Sequence, residues 1–320
     1  MGTLFIDGID ITQRYGVELL KGSYKSVFQY PELKPVETNN WWEDDGLEAD
    51  LSNPVLDTQK IVLNFACKGD KLDDFFDMLR NNVYHIFSFR EFITSVQYLS
   101  GRPPRYYYFQ LTLRLDGESG RKAVQDLSSF SLTFYNDDSS AIDGGLVENN
   151  LPETNFILDQ HDLNIYGIQV LKGARIEVET QSSIKKNLLI DINSQSGIIY
   201  DGNGGVKQEA RTLKLPLYMI YNLGGTTTTP AAGYFISQWQ QFIFDLVQPG
   251  ARTLDTPYGT VISYYKSANT SKFYRQGNTF IILFEITLQI LQTSDDALMT
   301  ENGQNLLTEA GEYLKQEEIL

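Results

Sequence analysis

The segment Tyr15-Gly16-Val17-Glu18-Leu19-Leu20-Lys21-Gly22 returns as Tyr166-Gly167-Ile168-Gln169-Val170-Leu171-Lys172-Gly173, with five of eight positions identical at an offset of 151. In a chain of 320 residues that offset is about half the length, so the sequence reads as two diverged copies of one folding unit. Carried upstream, the same offset places Phe5-Ile6 opposite Phe156-Ile157. Downstream, Gln59-Lys60-Ile61-Val62-Leu63-Asn64-Phe65 shares its alternation with Arg211-Thr212-Leu213-Lys214-Leu215-Pro216-Leu217, and a helical pattern follows each. Two domains result, residues 1–148 and 153–292, each long enough to bury its own core. A linker runs from Asn149 to Glu153. Beyond it, residues 293–320 form an acidic arm in which Leu298-Met299-Thr300-Glu301-Asn302-Gly303 and Leu306-Leu307-Thr308-Glu309-Ala310-Gly311 repeat with a period of eight; Asn302-Gly303 is a hairpin turn signal.

Within each copy the periodicity predicts strands and one helix. Ile61, Leu63 and Phe65 alternate as in a half-buried strand. Leu72, Phe75, Phe76 and Leu79 then fall at i, i+3, i+4 and i+7, the stripe of a helix packed on one face, with Asp73, Asp74 and Asp77 read as its caps. In the second copy Phe235, Trp239 and Phe242 have helical spacing and Pro249-Gly250 marks the exit. Strand signal resumes at Tyr84 to Phe89, Ser95 to Leu99, Tyr106 to Leu115 and Phe130 to Tyr135, and at Val261 to Tyr265 and Phe280 to Leu291. Pro216 inside a strand predicts an edge or a bulge. Loops are expected at Glu37 to Asp45, Asp137 to Gly145, Asp201 to Gly205 and Thr226 to Gly233. The fold class is therefore α+β, mainly β: two tandem, diverged, β-sandwich-like domains, each with one flanking helix, plus a short C-terminal hairpin or arm.

Charge narrows the partners. Residues 1–150 carry 14 basic and 23 acidic side chains (−9) and residues 151–320 carry 12 and 18 (−6), which gives the net −15. An acidic surface repels phosphate backbones, so specific nucleic-acid binding is disfavoured. The N-terminus Met1-Gly2-Thr3-Leu4-Phe5-Ile6 has neither the basic start nor the apolar run of a secretion signal, and isoleucine at position 6 breaks a myristoylation pattern. No apolar run approaches the ~20 residues of a membrane helix, so no membrane insertion is expected.

Residue chemistry points away from catalysis. The lone Cys67 sits in an apolar run and reads as a buried thiol. His85 and His161 are the only histidines, too few for a histidine metal centre. No phosphate loop ending in Lys-Ser or Lys-Thr is present, and Asp201-Gly202-Asn203-Gly204-Gly205 reads as a hairpin turn. Glu43, Asp44, Asp45, Glu48 and Asp50 lack the glycine and terminal glutamate of an EF-hand and read as a solvated acidic loop. Catalytic, cofactor and metal residues are accordingly expected to be none. Two rival readings remain. Trp41-Trp42 and Tyr106-Tyr107-Tyr108 could form a carbohydrate-stacking platform, making the protein an adhesin. A convergent carboxylate pair in a deep pocket would mark a hydrolase.

The segment Tyr15 to Gly22, the loop after it, and Asp57-Thr58-Gln59-Lys60-Ile61-Val62-Leu63 leading into Asp73-Asp74-Phe75 resemble phage tail proteins of the distal-tail and tail-tube type. The resemblance spans residues 4–135 and again 156–291. It implies tail-tube-type domains in a virion tail, each contributing a sheet to a homo-oligomeric ring around the DNA channel and meeting other tail and baseplate proteins through its loops. A trimer would then present six pseudo-equivalent domains; a hexamer with one domain outside is the competing arrangement. DNA would pass without specific binding. Strand edges, the loop from Glu37 to Asp45 and the C-terminal arm are the expected contacts. The second copy lacks the acidic helix start and carries the longer stretch from Thr226 to Gly233, so its contact surface is expected to differ.

Overall fold

The computed structural model describes residues 4–41, 44–97, 100, 105–124, 127–141, 143, 151–185, 189–191, 196, 198–200, 207–222, 231–276 and 279–293. The C-terminal arm, Trp42 and the Asp201-to-Gly205 turn lie outside the described residues. The first half runs β1 (Leu4–Ile6), β2 (Ile9–Asp10), α1 (Ile11–Tyr15), β3 (Val17–Leu19), α2 (Tyr24–Val27), β4 (Thr38–Asn39), β5 (Glu48–Ala49), β6 (Gln59–Lys68), α3 (Leu72–Arg80), β7 (Tyr84–Gln97), β8 (Arg105–Val124) and β9 (Leu127–Asn136). The second runs β10 (Ile157–Leu158), β11 (His161–Asp162), a 3₁₀ turn (Leu163–Tyr166), β12 (Ile168–Val170), α4 (Ala174–Glu179), β13 (Leu189–Asp191), β14 (Ile198–Tyr200), β15 (Thr212–Asn222), α5 (Ala231–Leu246), β16 (Arg252–Thr256), β17 (Gly259–Gln276) and β18 (Thr279–Thr293).

Each half is one seven-stranded antiparallel sheet, ordered β2-β1-β7-β8-β9-β6-β3 and β11-β10-β16-β17-β18-β15-β12. The two orders are the same when strands are matched by position in their half. The sheets must curl. Laid flat, seven strands would hold the outer two ~29 Å apart, yet the five-residue α1 that joins β2 to β3 spans only ~7.5 Å. Closing that distance turns the inward residues onto a common core, where Ile61, Leu63, Phe65 and Cys67 of β6 are all buried. Their counterparts Leu213, Leu215, Leu217 and Met219 of β15 are buried in the same alternation. The fold is thus α+β and mainly β, in two tandem domains.

The repeated Tyr-Gly is explained by this connection. Asp10 caps α1 by accepting from the amides of Thr12 and Gln13, and Gly16 ends it with φ 68°. A Cβ on Gly16 would lie 2.6 Å from the Lys68 carbonyl oxygen, so glycine is required there. Asp162 and Gly167 (φ 75°) bracket the 3₁₀ turn in the same way. That turn has four residues where α1 has five, which corrects the upstream register: Asp10 stands opposite Asp162, and Phe5 opposite Ile157.

A second shared device confirms the corrected register. Asp7 (φ 52°) donates its N–H to the Ile86 carbonyl, accepts the Ile86 amide on Oδ1, and faces His85 Nδ1 with Oδ2 at 2.5 Å. His85 Nε2 lies 2.9 Å from the Leu79 carbonyl. Asp159 (φ 46°) accepts the Thr253 amide on Oδ1 and Arg252 Nη1 on Oδ2, while Arg252 Nη2 donates to the Pro249 carbonyl. In both halves a carboxylate ties the first strand to the neighbouring strand and meets a nitrogen-bearing side chain, His85 or Arg252, that also reaches a carbonyl near the end of the helix.

Several expectations need correction. Tyr84 to Phe89 and Ser95 onward are one strand, β7, and β8 continues past Leu115 to Val124 through bulges at Leu115/Gly117 and Ser119/Lys122. Pro216 is in neither an edge strand nor a bulge: it pairs with Glu285 in the regular β15–β18 register. Its carbonyl accepts from Leu171 just past the end of the edge strand β12, so its missing N–H points where no ladder bond is needed. Asp73 and Asp74 do not cap α3, whose N-cap is Lys71 with no side-chain cap bond; they act on the helix only through charge, and Asp77 pairs with Arg80 at 3.2 Å. The Glu37-to-Asp45 stretch contains β4, which pairs with β5.

Candidate assembly interface

The two domains are joined through an aromatic junction that the sequence did not reveal. After α2 the chain leaves its own sheet and lies along β17 of the second domain. Leu33 donates its N–H to the Lys266 carbonyl (2.9 Å), Gln29 Nε2 to Ala268 (2.8 Å) and Thr270 Oγ1 to Phe28 (2.8 Å). The edge is open because β16 begins pairing with β17 only at Ser263, much as β7 begins pairing with β8 only at Arg114. Residues 28–33 cover the part of the β17 edge beyond Ser263.

Aromatic side chains fill the space behind that edge. Tyr30 stacks on Trp239 of α5 with ring centroids 3.9 Å apart, and Phe28 stacks on Phe273 at 5.1 Å. Phe92 of β7 meets Phe235, Phe273 and Phe280. The Tyr30 hydroxyl donates to the Trp239 carbonyl and the Tyr265 hydroxyl to the Pro31 carbonyl, each at 2.7 Å. Burial holds both phenols well above the usual tyrosine range, Tyr30 further through Tyr265 and Tyr265 through Glu32. Both stay neutral.

The acidic loop is a clamp within the chain. The Lys185 ammonium, in a residue 3% exposed, donates to the carbonyls of Trp41 and Asp44 at 2.6 Å each. Asp45 Oδ1 accepts the Gln208 amide, Gly46 donates to the Gln208 carbonyl and Leu47 to the Leu291 carbonyl. Asp50 accepts the Ser52 amide, which lowers its carboxyl pKa, and Glu48 accepts from Trp41 Nε1. These carboxylates serve separate partners, and among the described residues no three His, Cys, Asp or Glu side chains group as metal ligands. The described contacts of this loop are to the second domain of its own chain, and its residues from Glu37 to Trp41, with Asp44 and Asp45, remain exposed.

The other singled-out residues do not converge. The side chains of Tyr106 and Tyr107 lie outside the described residues. Tyr108 flanks the Arg90 guanidinium, which sits 3.7 Å from the Phe5 ring centroid. Trp41 is 50% exposed. His161 lies exposed in β11, and Cys67 is buried, its thiol pushed up by desolvation. Of the clefts, one of about 260 Å³ lies beside the junction, between Gln29, Tyr30, Gln59, Phe109 and Trp239. Its amide groups are bonded internally, Gln59 Nε2 to the Gln29 and Val27 carbonyls and Gln59 Oε1 to Asn136. Among the described residues no helix is long and apolar enough to cross a membrane.

No protein-family model matches the chain, and no curated protein matches it either. Among solved structures, the chain is similar to the SPP1 Dit (gp 19.1) protein, described as a paradigm of the hub adsorption apparatus in phages that infect Gram-positive bacteria: 14% identity, TM-score 0.27, covering 90% of this chain and 98% of that one. It is also similar to the Borreliella burgdorferi PlzA protein in complex with c-di-GMP, at 8% identity and TM-score 0.16, covering 92% and 94%. Similarity at these scores carries no argument about function.

Proposed function

We propose that the protein is a structural component of a phage or prophage tail, a distal-tail, baseplate-ring or hub subunit that joins tail tube to tail tip. The observation that carries this reading is the construction of the chain: two like sheets, one completing the open edge of the other. Units that complete one another's edges in sequence are what a ring is built from. In this reading residues 1–148 and 153–292 are the two ring domains, no residue is catalytic, and no cofactor is used. The net charge of −15 suits a bore that passes DNA without holding it.

The test is composition of particles. Mass spectrometry of gradient-purified tails from a host carrying the gene is expected to find this chain in fixed stoichiometry with other tail proteins. Finding it only in the soluble fraction would contradict the reading. Trp41, half-exposed, gives the adhesin alternative its own check: glycan-array binding lost in Trp41→Ala would favour it.

A further inference from the structure

The junction inside the chain has an unoccupied duplicate on each of its outer faces. Leu33 bridges antiparallel to Leu56, with Lys34 N–H donating to Val55 and Asp57 N–H to Glu32. Ile184 bridges to Gln208 in the same geometry, with Lys185 N–H donating to Lys207 and Glu209 N–H to Ser183. In such a pair the central residue turns its own N–H and C=O away from its bridge partner. Leu33 delivers that N–H to Lys266, whereas the Ile184 N–H has no hydrogen-bond partner among the described residues and its side chain is 64% exposed.

The acceptor side is duplicated as well. Lys266 is the bulged residue between Tyr265 and Ser267, and Tyr265 pairs with Leu288, which pairs with Leu213. In the first domain Asp116 is the bulged residue between Leu115 and Gly117, and Leu115 pairs with Phe134, which pairs with Ile61. Ile61 and Leu213 are equivalent positions of β6 and β15, so Asp116 stands where Lys266 stands. β7 begins pairing at Arg114, and among the described residues no strand covers β8 beyond it on that side.

We infer that residues Thr180 to Lys185 of one copy dock along the β8 edge past Arg114 of a second copy, with the Ile184 N–H donating to the Asp116 carbonyl, so that copies join head to tail as the two domains already join within the chain. The contact is heterologous and repeats until the rotation closes, which gives the ring reading above, on which closure rests, a specific interface. The divergence of the copies fits the two settings. Phe28 and Tyr30 of the permanent junction are replaced by Glu179 and Gln181 at the equivalent positions, so the outer face stays wettable before assembly.

Two single variants, Ile184→Cys and Asp116→Cys, test it with a short bifunctional maleimide. Mixed together they are expected to cross-link into covalent dimers, while either alone and the unaltered chain do not; Leu33→Cys with Lys266→Cys should cross-link within one chain and serves as the geometric control. Ile184→Pro keeps the bonds of Lys185 and Ser183 and removes only the outward N–H, and should weaken association about tenfold, the equivalent of one hydrogen bond. A defined oligomer by light scattering with no cross-link in the mixture would overturn this interface and leave the ring reading standing. Cross-linking of Ile184→Cys with itself would replace it with a two-fold contact. A strict monomer at all concentrations would overturn the interface and remove the ring's support in solution.

Discussion

Tyr30 of the first domain lies on Trp239 of the second with ring centroids 3.9 Å apart and planes 11° from parallel, and its hydroxyl donates to the carbonyl of the same tryptophan. One side chain thus supplies both apolar area and a polar tether across the junction. Truncation in Tyr30→Ala should cost about 3–5 kcal/mol, as for other buried aromatics, and Tyr30→Phe only about 1 kcal/mol. Because the core is continuous, denaturant unfolding of both variants should remain a single transition followed by fluorescence or circular dichroism. Two separated transitions would show that the domains unfold independently.

The same phenols set an alkaline limit. Tyr30, Tyr265 and Tyr166 are held neutral, chiefly by burial and, for Tyr166, also by its bond to Asp245. An unfolded tyrosine ionises near pH ~10. Raised folded-state values therefore contribute stability that is full below about pH 10 and declines as pH rises above it. Phenolate absorbance should report these three rings ionising together with unfolding, later than the exposed tyrosines.

The paired carboxylates Asp7 and Asp159 perform one task twice. Each sits at positive φ, accepts a backbone amide and faces a side-chain nitrogen of His85 or Arg252, so Asp7→Ala and Asp159→Ala should each lose about 2 kcal/mol. Loss of the helix cap in Asp10→Ala should be milder, about 1 kcal/mol. Thermal melts of the three variants side by side give the ranking.

Gly16 and Gly8 both have positive φ but differ in surroundings. A methyl on Gly8 meets nothing within 4 Å, and one on Gly16 meets the Lys68 carbonyl. Gly8→Ala should lose about 1 kcal/mol from conformation alone, and Gly16→Ala clearly more. Equal losses would show that β3 yields.

Lys185 fastens the acidic loop. In Lys185→Met the carbonyls of Trp41 and Asp44 lose their buried donor. Hydrogen exchange at the amides of Gly46 and Leu47, which bond Gln208 and Leu291, should quicken while the exchange of β6 stays unchanged.

What could be read in the sequence was what repeats locally. Tyr15-Gly16 and Tyr166-Gly167 announced a duplicated helix end, and the β6 alternation aligned with β15 in the register the sheets adopt. The upstream slip was hidden because a five-residue helix and a four-residue turn end at the same Tyr-Gly. The bulges of β8 carry Asp116 and Gly117, residues that read as the end of a strand. The junction was illegible for a different reason: Phe28 and Tyr30 look like core of their own domain, and nothing local shows that the β17 edge beyond Ser263 is open. The same kind of long-range contact, from Lys185, Gln208 and Leu291, fastens the exposed acidic loop to the second domain.

The mass of the full chain in solution, measured by light scattering over a range of concentrations and at two salt levels, tests the central claim that this chain is a ring subunit. A trimer or hexamer is the predicted result, with the smaller closed form favoured if both domains share the ring. A monomer at every concentration and both salt levels would contradict the account.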